Sequence, residues 1–446
     1  MKQYEAYKDS GIQWLGEIPS HWTALKLKYI CAITDGTHFS PATKSEGRIY
    51  VTVSNVYDDE IHLENASRIS EEDFQNLVRQ GCQPKVGDVL LAKDGTVGRS
   101  AIVVDNDFVA LSSLGILSPG EQISSSFLKY SLDSLFLQEQ MNAAMAGSAL
   151  RRITISKICE FIGIIPPLAE QEVIAAYLDL KVGQIDAILS EKEAMVEQLQ
   201  QYRKSLISEN VTRGLNPNVP MKDSGIDWIG QIPAHWQLVK LKSIAKVNGR
   251  IGYRGYTTED LVHDGNGAYA IGGKHISKCV LDLSHPDFIS WEKYYESPEI
   301  MVKKGDLLMA QRGSLGKVAL VRDNIGEATI NPSLVLINNL KIGDVFLYYY
   351  LVSNSCLTYI ELLNTATAVP MISQNQIENL FVPVPPVVEQ HAISTFLDKK
   401  TNELDTAISE LQSQIEDLKA YKSSVISEAV TGKVDLRDWK PSEDNA

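Results

Sequence analysis

No stretch of about 18 consecutive apolar residues occurs in the 446-residue chain, so nothing in it reads as a membrane-spanning helix. The opening "MKQYEAYKDS" lacks the apolar core of a secretory signal, and the expectation is a soluble, cytoplasmic chain. Cysteine is scarce: Cys31, Cys82, Cys159, Cys279 and Cys356 stand far apart, with no CxxC pair for zinc and an odd count for a disulfide framework. They read as small buried hydrophobes in a reducing compartment. The eight histidines show no HExxH or comparable metal spacing.

Catalytic signatures are also missing. "GNGAYAIGGKHIS" fails the phosphate-loop pattern, because Ala268 stands where the first glycine is needed and His275 where the hydroxyl is needed. An amino-methyltransferase would need an amide or carboxylate before two prolines and an aromatic ring after them, to hold a flipped base. The double prolines here, "IIPPLAEQ" and "PVPPVVEQ", are flanked by aliphatics and fit helix entry instead.

A net charge of −14 argues at first against a nucleic-acid partner, since Lys and Arg supply affinity for phosphate. The distribution says more. Residues 1–165 hold 15 basic against 20 acidic groups, whereas residues 216–383 hold 15 against 16. Within the latter, "QLVKLKSIAKVNGRIGYRGYTT" is free of acids and interleaves Lys240, Lys242, Lys246, Arg250 and Arg254 with Tyr253 and Tyr256. The helical segments are acidic.

What is abundant is repetition. "KDSGIQWLGEIPSHWTALKLKYI" from Lys8 returns as "KDSGIDWIGQIPAHWQLVKLKSI" from Lys222, with 15 of 23 positions identical. "VGDVLLAKDGTVGRSAIV" from Val86 returns as "KGDLLMAQRGSLGKVALV" from Lys304, and "PPLAEQEVIAAYLDLK" from Pro166 as "PPVVEQHAISTFLDKK" from Pro385. The chain is a duplication, and an approximate internal twofold is expected.

Before each double proline, short apolar stretches punctuated by glycine read as strands of a β-rich globule. After it the period becomes helical. Leu178, Val182, Ile185, Leu189, Lys192, Val196, Leu199, Arg203 and Leu206 alternate steps of four and three, as do their counterparts from Leu397 to Val425, the seam of a coiled coil. An apolar stripe that narrow is not stable alone in water, so the two helices are expected to pair, antiparallel. The expected fold is α+β: two β-rich globules alternating with two long helices that form an antiparallel coiled coil. The segments are 1–165, 166–215 (first helix), 216–383, 384–434 (second helix) and a tail at 435–446.

Candidate DNA contacts in the first half are Lys26, Lys28, Thr37, His38, Lys44, Ser54, Asn55, Lys93, Arg99, Arg151 and Arg152. Those in the second are Lys240, Lys242, Lys246, Arg250, Tyr253, Arg254, Tyr256, Lys274, His275, Arg312, Lys317, Gln374 and Asn375. Arginine reaches guanine with two donors, Asn and Gln reach adenine, and glycine turns such as "DGTVG" and "RGSLG" allow close approach to phosphate. The first domain nets −5 and has no acid-free strip, so its contacts are placed by repeat position. Glu193, Glu197, Glu410 and Asp417 are acids on the outer faces of the two helices.

The repeated "KDSGIxWxGxIPxHWxxxKLK" opening, the "GTVG" and "GSLG" turns, and "PPLAEQ" and "PPVVEQ" leading into "LISENVT" and "VISEAVT" resemble the specificity subunits of type I restriction-modification systems. The resemblance covers nearly the whole chain. It implies that each globule is a target recognition domain reading half of a bipartite site in double-stranded DNA with a fixed gap, and that the helices dock two methyltransferase subunits, for which Glu193, Glu197, Glu410 and Asp417 on the outer helix faces are the candidate docking residues. Restriction subunits would join them. The chain itself would be non-catalytic, with S-adenosylmethionine, ATP and magnesium on its partners. The alternatives are a stand-alone DNA methyltransferase with built-in recognition domains, and a coiled-coil scaffold without DNA affinity.

Overall fold

A computed structural model describes residues 2–12, 15–146, 151–250, 255–263, 265–364 and 370–441. It divides into two compact units, Met1–Glu193 with Ser413–Ala446, and Ala194–Gln412. The division falls inside both long helices, Leu168–Arg213 and Val387–Val430. Each unit therefore holds one β-rich globule, the start of one helix and the end of the other.

In the first unit, after an antiparallel pair formed by Tyr7–Asp9 and Glu17–Pro19, the strands are β1 (Thr23–Lys26), β2 (Cys31–Asp35), β3 (Arg48–Val51), β4 (Val56–Tyr57), β5 (Glu60–Ile61), β6 (Ser67–Ile69), β7 (Val89–Ala92), β8 (Ser100–Ile102), β9 (Phe108–Ala110), β10 (Leu114–Pro119) and β11 (Ile162–Ile165). The main sheet is antiparallel in the order β8-β7-β10-β2, and a smaller sheet runs β9-β3-β6 with β9 parallel to β3. Successive side chains of a strand point to opposite faces. Val89 and Leu91 of β7 accordingly enter one core with Trp22, Phe127 and Leu128, while Leu90 and Ala92 enter another with Val51 and Phe108. Burial on both faces explains why this strand is apolar without alternation.

The second unit repeats the plan with β12 (Gln237–Lys240), β13 (Lys246–Gly249), β14 (Ala268–Ile271), β15 (Ile276–Ser277), β16 (Val280–Leu281), β17 (Leu307–Ala310), β18 (Val318–Leu320), β19 (Ala328–Ile330), β20 (Leu334–Asn338) and β21 (Phe381–Val384). The sheet order is β13-β20-β17-β18, β19 runs parallel to β14, and Leu307 and Met309 face one core while Leu308 and Ala310 face another.

Each globule is tied to a helix start by the same two residues. After Pro166 and Pro167, the Glu170 carboxylate accepts hydrogen bonds from Trp22 Nε1 (3.0 Å) and Tyr4 Oη (3.1 Å) and lies 2.6 Å from His21 Nε2. Gln171 Oε1 accepts from the Ser124 backbone (2.9 Å), and its amide donates to Gln122 and Pro166 carbonyls. In the second unit Glu389 takes Trp236 Nε1 at 2.9 Å and His235 Nε2 at 2.7 Å, and Gln390 accepts from Gly343 and donates to Pro385. The repeated His-Trp and Glu-Gln pairs thus fasten each globule to its own helix.

Within each unit the two helix segments run antiparallel. Lys422 reaches Asp186 at 2.8 Å in the first unit, and Arg203 takes Asp405 with two contacts of 2.8 and 3.0 Å in the second. Asp405 and Lys422 stand 219 positions after Asp186 and Arg203, so one ion pair occurs twice. The polar residues that interrupt the apolar seam bridge from one helix to the other. Lys192 does likewise with Gln414 at 2.6 Å.

Candidate nucleic-acid interface

Strand direction sorts the candidate residues. Strands β2 and β7 end, and β10 begins, at one end of the first main sheet, where Gly115 pairs with Asp35 and Leu114 with Ala92. The opposite end, where Pro119 pairs with Cys31, leads to the helices through β1 and β11. The distal end gathers the loop after Asp35, the turn 93–99 and residues 151–154. Thr37 is held there by a bridge to Leu111, and Arg152 by a bridge to Asp94. Ser54 joins the same end, because the Val53 backbone donates to Ser113 Oγ at 3.2 Å. Lys44 lies on the loop between β2 and β3, bridged to Arg68. His38, Lys44, Ser54, Arg99, Arg151 and Arg152 are exposed.

The second unit brings Arg312, Lys317, Gln374 and Asn375 to the equivalent end, with Lys274 beside them through a Gly273 backbone bond to Ser333 Oγ at 3.2 Å. Lys274 is committed to Asp287 at 2.6 Å. Gln374 donates to the Val247 carbonyl, and its Oε1 lies 3.3 Å from where a side chain on Gly249 would begin. Gly249 leaves the room that Asp35 fills in the first unit. Tyr253 and Arg254 lie outside the described residues.

Several other candidates lie away from the distal ends or are buried. Lys26 and Lys28 lie at the helix end of their globule, both 2.5 Å from Glu160, whose carboxyl Lys26 and then Lys28 hold down at about 2. Lys240 and Lys242 occupy the equivalent place in the second unit, so the acid-free strip is not one surface. A strand rises about 3.3 Å per residue, and β13 carries Lys246 and Arg250 to opposite ends of the sheet. Arg250 is also buried, donating to Ile330 O and Thr329 Oγ1 and lying over the half-buried Tyr256 ring. Burial lowers its guanidinium below the ordinary value.

Thr37, Asn55, Lys93 and His275 are buried as well. Asn55 Oδ1 accepts from the Thr52 backbone, and His275 Nδ1 from the Gly272 backbone, at 3.0 and 2.9 Å. These two cap a turn instead of facing outward. Lys93, only 1 % exposed, lies 3.3 Å from Asp35, whose other oxygen is 3.1 Å from His38. On the helices Glu193, Glu197, Glu410 and Asp417 are all exposed, and Glu193 is engaged by Lys419 at 3.0 Å.

Charge counting missed Asp35, Asp94 and Gln311. The available signal was comparison of the repeats: Asp35, Lys93, Asp94 and Arg152 answer to Gly249, Gln311, Arg312 and Met371. Backbone bonds there are the same in both units, Gly95 and Ile153 donating to Arg151 and Lys93 as Gly313 and Ile372 donate to Pro370 and Gln311. One scaffold thus presents two different polar sets, which is suited to reading two different surfaces. Among the described residues no cluster of side chains could hold a metal ion, and no helix is long and apolar enough to cross a membrane.

Known proteins place this architecture. The type I restriction enzyme EcoBI specificity subunit of Escherichia coli is 20% identical over 442 residues, covering 97% of this chain and 90% of that one. A putative type I restriction enzyme MjaX specificity subunit from Methanocaldococcus jannaschii is 22% identical over 436 residues, covering 95% and 96%. A chain from a solved structure concerned with assembly and conformational transition of the type I R-M system shares the fold, with a TM-score of 0.69 at 17% identity over 94% of this chain and 99% of that one. The profile of the type I restriction modification DNA specificity domain matches residues 19–198 and again 233–417. The chain belongs to that family, carries its domain twice, and has the DNA recognition of a type I specificity subunit as its function.

Proposed function

We propose that the chain is the non-catalytic subunit that gives a DNA adenine methyltransferase and endonuclease complex its target, each globule reading one half-site of double-stranded DNA with the distal end of its main sheet. The observation that carries this reading is the pair of distal ends, alike in backbone and different in side chains. Two half-sites follow, separated by a gap of constant length, because each globule is fastened to a helix uninterrupted by proline. Two methyltransferase subunits dock on the helix pair, with exposed acids such as Glu197, Glu410 and Asp417 available to basic partners. Restriction subunits join that assembly in the cytoplasm, and S-adenosylmethionine, ATP and magnesium belong to the partners.

Methylome sequencing of a host expressing this chain with its methyltransferase partner tests the reading. A bipartite modified sequence, absent when either protein is omitted, is the expected result. Methyl transfer by this chain alone would establish the stand-alone methyltransferase instead.

A further inference from the structure

Asp94 and Arg152 face each other on neighbouring segments of the first globule, at the distal end of its sheet. Gly95 donates to Arg151 O (3.0 Å) and Ile153 to Lys93 O (2.8 Å), so 94 and 152 form a directly opposed pair flanked by hydrogen bonds. In that arrangement the two side chains leave the backbone close together. Arg152 Nε lies 3.1 Å from Asp94 Oδ1, while the arginine side chain stays 51% exposed. That oxygen is buried and has no hydrogen-bond partner, so the guanidinium is its compensating charge. No other hydrogen bond or ion pair engages Arg152 among the described residues.

With the carboxylate beside Nε, the two terminal nitrogens of the arginine remain an unoccupied fork, the shape that meets O6 and N7 of guanine in the major groove. A carboxylate at Nε also cancels the charge that would draw the side chain to phosphate. Resting on the reading above, we propose that Arg152 is the guanine-reading residue of the first domain and that Asp94 is the positioning residue that aims it.

The second domain supplies the contrast. Its identical backbone bridge carries Arg312 opposite Met371, and no acid pairs with Arg312 among the described residues. Arg312 is exposed. Uncompensated and unaimed, it serves as a phosphate anchor.

The test uses the full chain bound to its methyltransferase partner, with duplexes carrying every single-base change in the first domain's half-site. Binding is measured across salt concentrations. The native complex should prefer guanine at one position by about tenfold to hundredfold. Arg152→Ala and Arg152→Lys should both abolish that preference, since lysine keeps the charge and loses the fork. Asp94→Asn should weaken it while leaving the salt slope unchanged, and Arg312→Ala should lower affinity for all sequences and reduce the slope by about 1. Intact discrimination at the other half-site certifies that each variant is folded.

A half-site without a required guanine overturns the proposal. So does Arg152→Ala acting equally on all sequences with a loss of slope, which would make Arg152 a phosphate contact. Unchanged discrimination in Asp94→Asn would remove Asp94 from its role. If the native complex bound no specific sequence, the proposed function itself would fail, and that outcome appears before any variant is made.

Discussion

His275 and Asn55 occupy one position in two globules and do one job with different chemistry. Asn55 accepts from the Thr52 backbone and donates to His62 O, and His275 accepts from Gly272 at Nδ1 while Nε2 lies 3.2 Å from His285 O. Only the neutral imidazole with its proton on Nε2 can do both. Burial accordingly pushes the His275 pKa below its ordinary value. A histidine whose folded pKa is depressed takes up its proton more readily when unfolded, so its contribution is present above the unfolded value of about 6.5 and is lost as pH falls through the folded one. Thermal melting against pH should show the second unit losing stability below about pH 6.5. His275→Asn should flatten that dependence, and Asn55→His should confer it on the first unit. An acid profile of His275→Asn identical to the native one would assign the titration elsewhere.

The helices are the elements that the sequence made most legible, because a double proline marks each start and a seam of alternating fours and threes runs through both. The seam's exceptions were legible as polar positions of the kind that set register, but their partners were not: Arg203 and Lys422 each reach an aspartate across the pair. Partly exposed pairs of this kind contribute about 0.2–1 kcal/mol, so their use is more in register than in stability. Arg203→Asp should destabilise the second unit by about 1 kcal/mol or more through like-charge repulsion, and adding Asp405→Arg should restore most of the loss. Urea unfolding of the two single variants and the double gives the coupling, and additive losses would show that the pair does not specify register. Strands were harder to read than helices. The acid-free run from Lys240 to Arg254 looked like one surface, but local composition does not reveal that β13 separates its lysine from its arginine. Asp94 was passed over for a related reason: charge counting disfavours an acid beside candidate DNA contacts, and its contact with Arg152 is not visible in the sequence.

For the whole molecule, the repeat makes the globules exchangeable. Each enters and leaves its unit through one pair of antiparallel strands, β1 with β11 and β12 with β21. The junctions close alike: Leu27 donates to Phe161 O and Leu241 to Leu380 O, each at 2.8 Å. Contacts to the helix are also shared, since Tyr130 donates to Asp179 and Tyr349 to Asp398, each at 2.7 Å. Where Asp59 of the first globule meets Lys422 at 3.7 Å, a transplanted copy would find Arg203, the repeat equivalent of that lysine. Replacing residues 241–380 by a second copy of 27–161 should therefore give a folded chain whose junctions and helix contacts all find partners of the same charge. Its melting temperature should fall only slightly. The modified DNA sequence should then contain the first half-site twice and the second not at all. A folded chimera that still directed modification to the second half-site would place recognition outside the exchanged segment, in the strand pairs or the helices, and not at the distal end of the sheet.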